Sequence, residues 1–131
     1  MFDCVAIGDS IALGVGTTPP LTCEIRAAVG LTSSKIVNLA NGKFHVYCVI
    51  SAGSNDPTSS KLTSNLTMIR NQSVCKFYVW VLPVNASASK TVSNIANQFH
   101  DKTVTFVPGP DNIHPANYTT LAGSILSITG N

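Results

Sequence analysis

The sequence predicts an α/β protein, a parallel sheet covered on both faces by helices. Three observations carry this. Runs such as FHVYCVIS (44–51) and KFYVWVLPV (76–84) are apolar almost throughout rather than alternating, as strands buried on both faces are. Between such runs lie segments with apolar residues at helical spacing. The two kinds of segment alternate about five times, as in βα-repeat domains.

Each element has its own justification. Phe2–Ile7 is a short apolar strand closed by Gly8, and Gly14, Gly16, Pro19 and Pro20 predict a loop after it. Leu21–Val29 holds a short second strand ending at Gly30. Thr32, Ser33 and Ser34 cap a helix to about Ala40, with Ile36, Val37 and Leu39 inward and Asn41-Gly42 as its stop. Phe44–Ser51 is the third strand. Pro57 suits the first turn of a helix capped by Asp56 and running to about Gln72, with Leu62, Leu66 and Ile69 apolar. Lys76–Val84 is the fourth strand, carrying Tyr78 and Trp80 as sheet packing. Ser87–Phe99 is a helix with Val92, Ile95, Ala96 and Phe99 on one face. Lys102–Val107 is the last strand, and Pro115–Ile128 closes the chain as a helix. No repeat, linker or low-complexity tract divides it, so residues 1–131 are expected to form one domain.

Composition excludes several classes of function. Charged residues make up 11% of the chain, well below the roughly 25% of a typical domain. The net charge is +2 and the eight basic residues are scattered, which argues against nucleic acid or an anionic membrane surface as partner. No apolar run approaches the roughly 20 residues that span a bilayer. No basic segment followed by an apolar stretch precedes the first strand, so no signal peptide is expected, and the setting is expected to be cytoplasmic or phage-encoded. Cys4, Cys23, Cys48 and Cys75 lack the close spacing of a zinc site. Cys4 and Cys48 sit in apolar strands and read as small buried hydrophobes rather than disulfide partners. Asn-x-Ser/Thr triplets begin at Asn65, Asn71, Asn85 and Asn117, and read as chance in a chain this rich in those residues.

In a parallel sheet, reactive groups gather in the loops after the carboxyl ends of the strands. Those loops contribute Gly8-Asp9-Ser10, Gly30-Leu31-Thr32-Ser33, Gly53-Ser54-Asn55-Asp56 and Asp111-Asn112-Ile113-His114. The set is chemically coherent. A serine hydroxyl is a weak nucleophile and needs a base, which His114 supplies. A histidine base needs a carboxylate to fix its tautomer, and Asp111 lies three residues before it in a loop bounded by Pro110 and Pro115. Acyl transfer also needs donors for the developing oxyanion, and the amides of Ser10 and Gly30 and the Asn55 side chain are available. Asp9 reads as a loop-bracing acceptor, and His45 and His100 as structural.

In order and position, Gly8-Asp9-Ser10, Gly30, Gly53-x-Asn55-Asp56 and Asp111-x-x-His114-Pro115 resemble the four sequence blocks of the SGNH hydrolases, or GDSL esterases and lipases. The resemblance spans residues 5–118. The first block reads Gly-Asp-Ser-Ile here, and Ala27-Ala28-Val29 stand before Gly30 where the family often has an Asn. The resemblance implies a flavodoxin-like three-layer α/β/α sandwich with about five parallel strands, and acyl-ester hydrolysis with neither metal nor cofactor. It implies Ser10 as nucleophile, His114 as base, Asp111 as its orienter, and Ser10, Gly30 and Asn55 as the oxyanion hole. So short a chain leaves no room for a lid, which suggests an open site and short acyl groups such as acetyl. The substrate would be a small-molecule or carbohydrate ester, with O-acetyl sugars among the candidates. Acyl transfer by the same triad and a non-catalytic glycan-binding module on the same fold are the alternatives. A flavin or nucleotide binder is disfavoured, because Asp9 puts a carboxylate where a phosphate would sit.

Overall fold

The computed structural model describes residues 2–129. Strands and helices alternate without exception: β1 (Cys4–Gly8), α1 (Ser10–Gly16), β2 (Glu24–Ala27), α2 (Ser33–Ala40), β3 (His45–Ser51), α3 (Leu62–Gln72), β4 (Cys75–Val81), α4 (Ala86–Phe99), β5 (Lys102–Val104) and α5 (Tyr118–Ile128). The five strands form one all-parallel sheet in the order β2-β1-β3-β4-β5. Side chains of successive strand residues point to opposite faces. Val5, Ile7, Cys48, Ile50, Tyr78 and Trp80 accordingly pack against α2, α3 and α4, while Val49, Val79, Val81 and Val104 pack against α1 and α5. The result is the flavodoxin-like three-layer sandwich. Trp80, wholly buried at the centre of the larger layer, donates its indole N–H to Asp101 Oδ2 at 2.9 Å.

The order of strands decides where a site can form. The chain leaves β1 toward β2 on one side, then crosses back over β1 to β3 on the other. Such a reversal opens a crevice at the carboxyl ends of the two central strands, here β1 and β3. Gly8 ends β1 where β3 presses close: a Cβ there would lie 1.8 Å from the Ser51 carbonyl oxygen, and φ is +146°. That approach lets the Asp9 amide donate to Ser51 O at 3.1 Å, which aims the residues after it across the top of β3.

Several expectations need correction. Residues 10–16, read as leading straight into a loop, form the short helix α1. Helix α3 begins at Leu62 rather than at Pro57, and its first turn has no side-chain cap. Asp56 is not a helix cap for α3: its carboxylate instead accepts from the amide and hydroxyl of Ser33 at the start of α2. β5 ends at Val104, and α5 starts at Tyr118 behind the cap Asn117, because Pro115 bridges to Pro108. The cysteines are paired, not free: Cys4 with Cys23 and Cys48 with Cys75. Both bonds bring together neighbours within the sheet, for β1 pairs with β2 and β3 with β4. His45 is structural, as expected, held between Asp3 at 2.8 Å and Glu24 at 3.1 Å. Among the described residues no helix is long and apolar enough to cross a membrane.

Candidate active site

Ser10 is the first residue of α1, set there by its neighbour. Asp9 adopts an extended conformation and caps the helix, its Oδ1 accepting from the Ile11 amide at 3.1 Å. First-turn amides have no partner inside a helix, so the Ser10 N–H stays available at the spot where its hydroxyl emerges.

The loop after β5 is folded on itself by backbone bonds. Gly109 N donates to His114 O at 2.8 Å, Ala116 N to Val107 O at 2.8 Å, and Asn112, left-handed at φ +58°, donates to Gly109 O at 3.0 Å. Asp111 then works with both oxygens. Oδ1 accepts from the amides of Ile113 and His114, each at 2.9 Å, and Oδ2 meets His114 Nδ1 at 2.6 Å. The His114 amide and ring and the Ile113 amide hold the Asp111 carboxyl down at about 2, so it is ionised at any ordinary pH. A carboxylate only accepts. Nδ1 therefore carries the imidazole proton, and Nε2 is left as an acceptor for the Ser10 hydroxyl, 2.8 Å away. Ser10, His114 and Asp111, 104 residues apart at the extremes of the first contact, form a continuous relay. It lies open to solvent, with the His114 side chain 41% exposed and that of Asp111 51%.

Gly30 and Asn55 lie in the loops after β2 and β3. Gly30 is exposed at φ +79°, with open space where a Cβ would project. The Asn55 side chain donates to Leu31 O at 2.9 Å, so the two residues belong to one stitched unit. Ser33 tightens that unit from behind, its amide and hydroxyl both bonded to Asp56 and its Oγ accepting from Asn65 Nδ2 at 2.9 Å. Neither Gly30 nor Asn55 hydrogen-bonds to the relay itself.

Two features here were not legible beforehand. Tyr118 packs its ring against α1 at Gly14, and burial together with the charges of Asp9 and Asp111 raises its phenol pKa. A cleft of about 460 Å³ also opens beside the relay loop, walled by Ser54, Asn85 and Asn112 together with Pro57, Val84 and Ile113. Asp9 is wholly buried, and burial pushes its carboxyl up to about 6 against the opposing pull of the Ser51 hydroxyl and the Ile11 and Ala12 amides. Its Oδ2 has no hydrogen-bond partner of regular geometry. Among the described residues no group of three His, Cys, Asp or Glu side chains is arranged to hold a metal ion. Comparison of the chain with protein-family models, with curated proteins and with solved structures gives no match.

Proposed function

We propose that this chain is a serine esterase of the SGNH type, acting on esters of short acyl groups. The observation that carries the reading is the relay of 2.8 Å from Ser10 Oγ to His114 Nε2 and 2.6 Å from His114 Nδ1 to ionised Asp111. A nucleophile, a base and an orienter within hydrogen-bond reach of one another are the parts acyl transfer requires.

Ser10 Oγ attacks the ester carbonyl as His114 takes its proton, and Asp111 stabilises the imidazolium that forms. The oxyanion is received by the Ser10 amide, the Gly30 amide and the Asn55 side chain. The C–O bond to the alcohol breaks while His114 returns the proton to the leaving oxygen. Water then attacks the acyl-enzyme, giving its proton to His114, and the carboxylic acid departs as Ser10 is restored. The loops holding Gly30 and Asn55 are braced before substrate arrives, so little reorganisation is needed at the reaction step.

Hydrolysis of p-nitrophenyl acetate tests the reading. The protein is expected to turn it over, while Ser10→Ala and His114→Ala lose on the order of 10³-fold or more with folding intact. Asp111→Asn should lose on the order of 10²–10⁴-fold, because its side chain no longer dictates the His114 tautomer. Absence of turnover, together with no labelling of Ser10 by a fluorophosphonate, would refute it.

A further inference from the structure

The segments that carry Ser10 and His114 meet twice. The first meeting is the hydrogen bond of the relay, 2.8 Å long. Among the described residues no other hydrogen bond joins α1 to the chain beyond β5. The second meeting is a packing contact about one helical turn further along each segment. Gly14 stands four residues after Ser10, and Tyr118 four residues after His114. The end of the Tyr118 ring fills the space where a Gly14 side chain would be: a Cβ there would lie 2.5 Å from Cζ and 2.9 Å from the hydroxyl oxygen. Tyr118 is half-buried against the layer in which Ile11 and Val15 of α1 pack with Leu121 and Ile125 of α5. Burial, then the charges of Asp9 and of Asp111, raise its phenol pKa, so the ring end lies within reach of both loops.

We infer that Tyr118 is a positioning residue: its ring, seated on the bare backbone at Gly14, sets the separation of Ser10 from His114. The inference rests on the esterase reading above. His114 and Tyr118 move as one piece, because the chain between them is tied down repeatedly. Ala116 N donates to Val107 O at 2.8 Å, Pro115 bridges to Pro108, and Asn117 Oδ1 accepts from the Thr120 amide at 3.1 Å as cap of α5. On the other side Ser10 and Gly14 belong to one short helix, capped by Asp9. Where the ring meets that helix therefore fixes how far Nε2 stands from Oγ. A shorter side chain at position 118 would let α1 settle toward α5, and a side chain at position 14 would hold the helix off. Either displacement spoils a contact that works only at hydrogen-bond distance, and misplacing a reacting pair by about 1 Å costs on the order of 100-fold in rate. The phenol takes part in no hydrogen bond that shifts its pKa, so the bulk of the ring carries the role.

The test is a two-position cycle in the full chain, read by steady-state kinetics on p-nitrophenyl acetate with thermal unfolding as the check on folding. Tyr118→Phe keeps the ring and should keep most of the rate. Tyr118→Ala, and Tyr118→Leu should alanine loosen the fold, are expected to lower kcat by on the order of 10- to 100-fold with KM little changed. Gly14→Ala should lose a similar factor in the parent but little more when added to Tyr118→Ala, whose vacated space takes the methyl group. Fluorophosphonate labelling of Ser10 should slow in step with kcat. Full kcat in a folded Tyr118→Ala or Tyr118→Leu variant would overturn the inference, as would a loss confined to KM or one that Tyr118→Phe shares in full. An equal cost of Gly14→Ala in both backgrounds would overturn it too, and in each case turnover by the parent leaves the esterase reading standing. A parent that neither cleaves the ester nor labels at Ser10 would overturn both.

Discussion

Asn55 reaches from the loop after β3 to the loop after β2 and donates Nδ2 to the Leu31 carbonyl oxygen at 2.9 Å. A side-chain amide has two hydrogens. One anchors the neighbouring loop beside Gly30, and the other is the donor that the proposed mechanism assigns to the oxyanion. Asn55→Ala should therefore lower kcat by about 10²–10³-fold with KM little changed. Asn55→Asp has the same shape but presents only acceptors to Leu31 O, and should lose at least as much. Steady-state kinetics on p-nitrophenyl acetate decide this, and a loss confined to KM would remove Asn55 from the oxyanion hole.

Asp9 makes stability depend on pH in the direction opposite to most carboxylates. Its folded value of about 6 stands above the ordinary 3.8, so the folded state holds the proton more tightly than the unfolded chain. The stabilisation is full below the unfolded value and is lost as pH rises through about 6. Asn keeps an acceptor for the Ile11 amide and never ionises. Asp9→Asn should gain stability relative to the parent between pH 4 and pH 8, by on the order of 2–3 kcal/mol. Urea denaturation at the two pH values measures it, and a pH-independent difference would contradict the shift.

Asp101 gathers three donors around a side chain only 5% exposed. Arg70 binds it in a fork at 2.7 and 3.0 Å and lies 3.4 Å over the Tyr78 ring, while Trp80 Nε1 takes the third position. Asp101→Ala leaves a mostly buried guanidinium and a buried indole N–H unpaired, at an expected cost of about 3–5 kcal/mol. Glu24→Gln, at the more exposed pair with Arg26, should cost no more than about 1 kcal/mol. Comparable losses at the two positions would mean the Asp101 cluster is worth no more than a surface pair.

The disulfides cross-link residues 19 and 27 apart in sequence, which by loop-closure entropy is worth about 3 kcal/mol each. The native protein unfolded without reductant should show no free thiol, and dithiothreitol should lower Tm substantially. Four titratable thiols would restore the reading of Cys4 and Cys48 as buried hydrophobes.

The layers of the fold and the Asp111–His114 half of the relay were legible because their signals are local. The Ser10–His114 contact, 104 residues apart, was reached through the convergence of loops at the carboxyl ends of parallel strands. Continuous apolar runs such as 76–84 announce strands buried on both faces, and Asp111 and His114 sit three residues apart in one loop. What failed depends on contacts distant in sequence. Helix α1 contains Gly14 and Gly16, poor helix formers, yet a Cβ at Gly14 would strike the Tyr118 ring and one at Gly16 the Ala6 side chain. Close packing demands glycine there, and the helix forms in spite of propensity. Asp56 resembles a cap in sequence, but tertiary structure brings it to Ser33, twenty-three residues away. The cysteine pairing follows from which strands are neighbours, and the spacing of cysteines along the chain does not carry that order.

The two disulfide loops are consecutive and do not overlap, and Ser10 lies inside the first while Asp111 and His114 lie beyond both. Thr17, Pro19 and Pro20 form an exposed stretch within that first ring. A protease nicking the stretch would leave one covalent molecule, with Ser10 still tethered through Cys4–Cys23. Such a cut would be silent on a non-reducing gel and become visible only once the cross-link is opened. Damage and disassembly are thereby separated at the segment that carries Ser10.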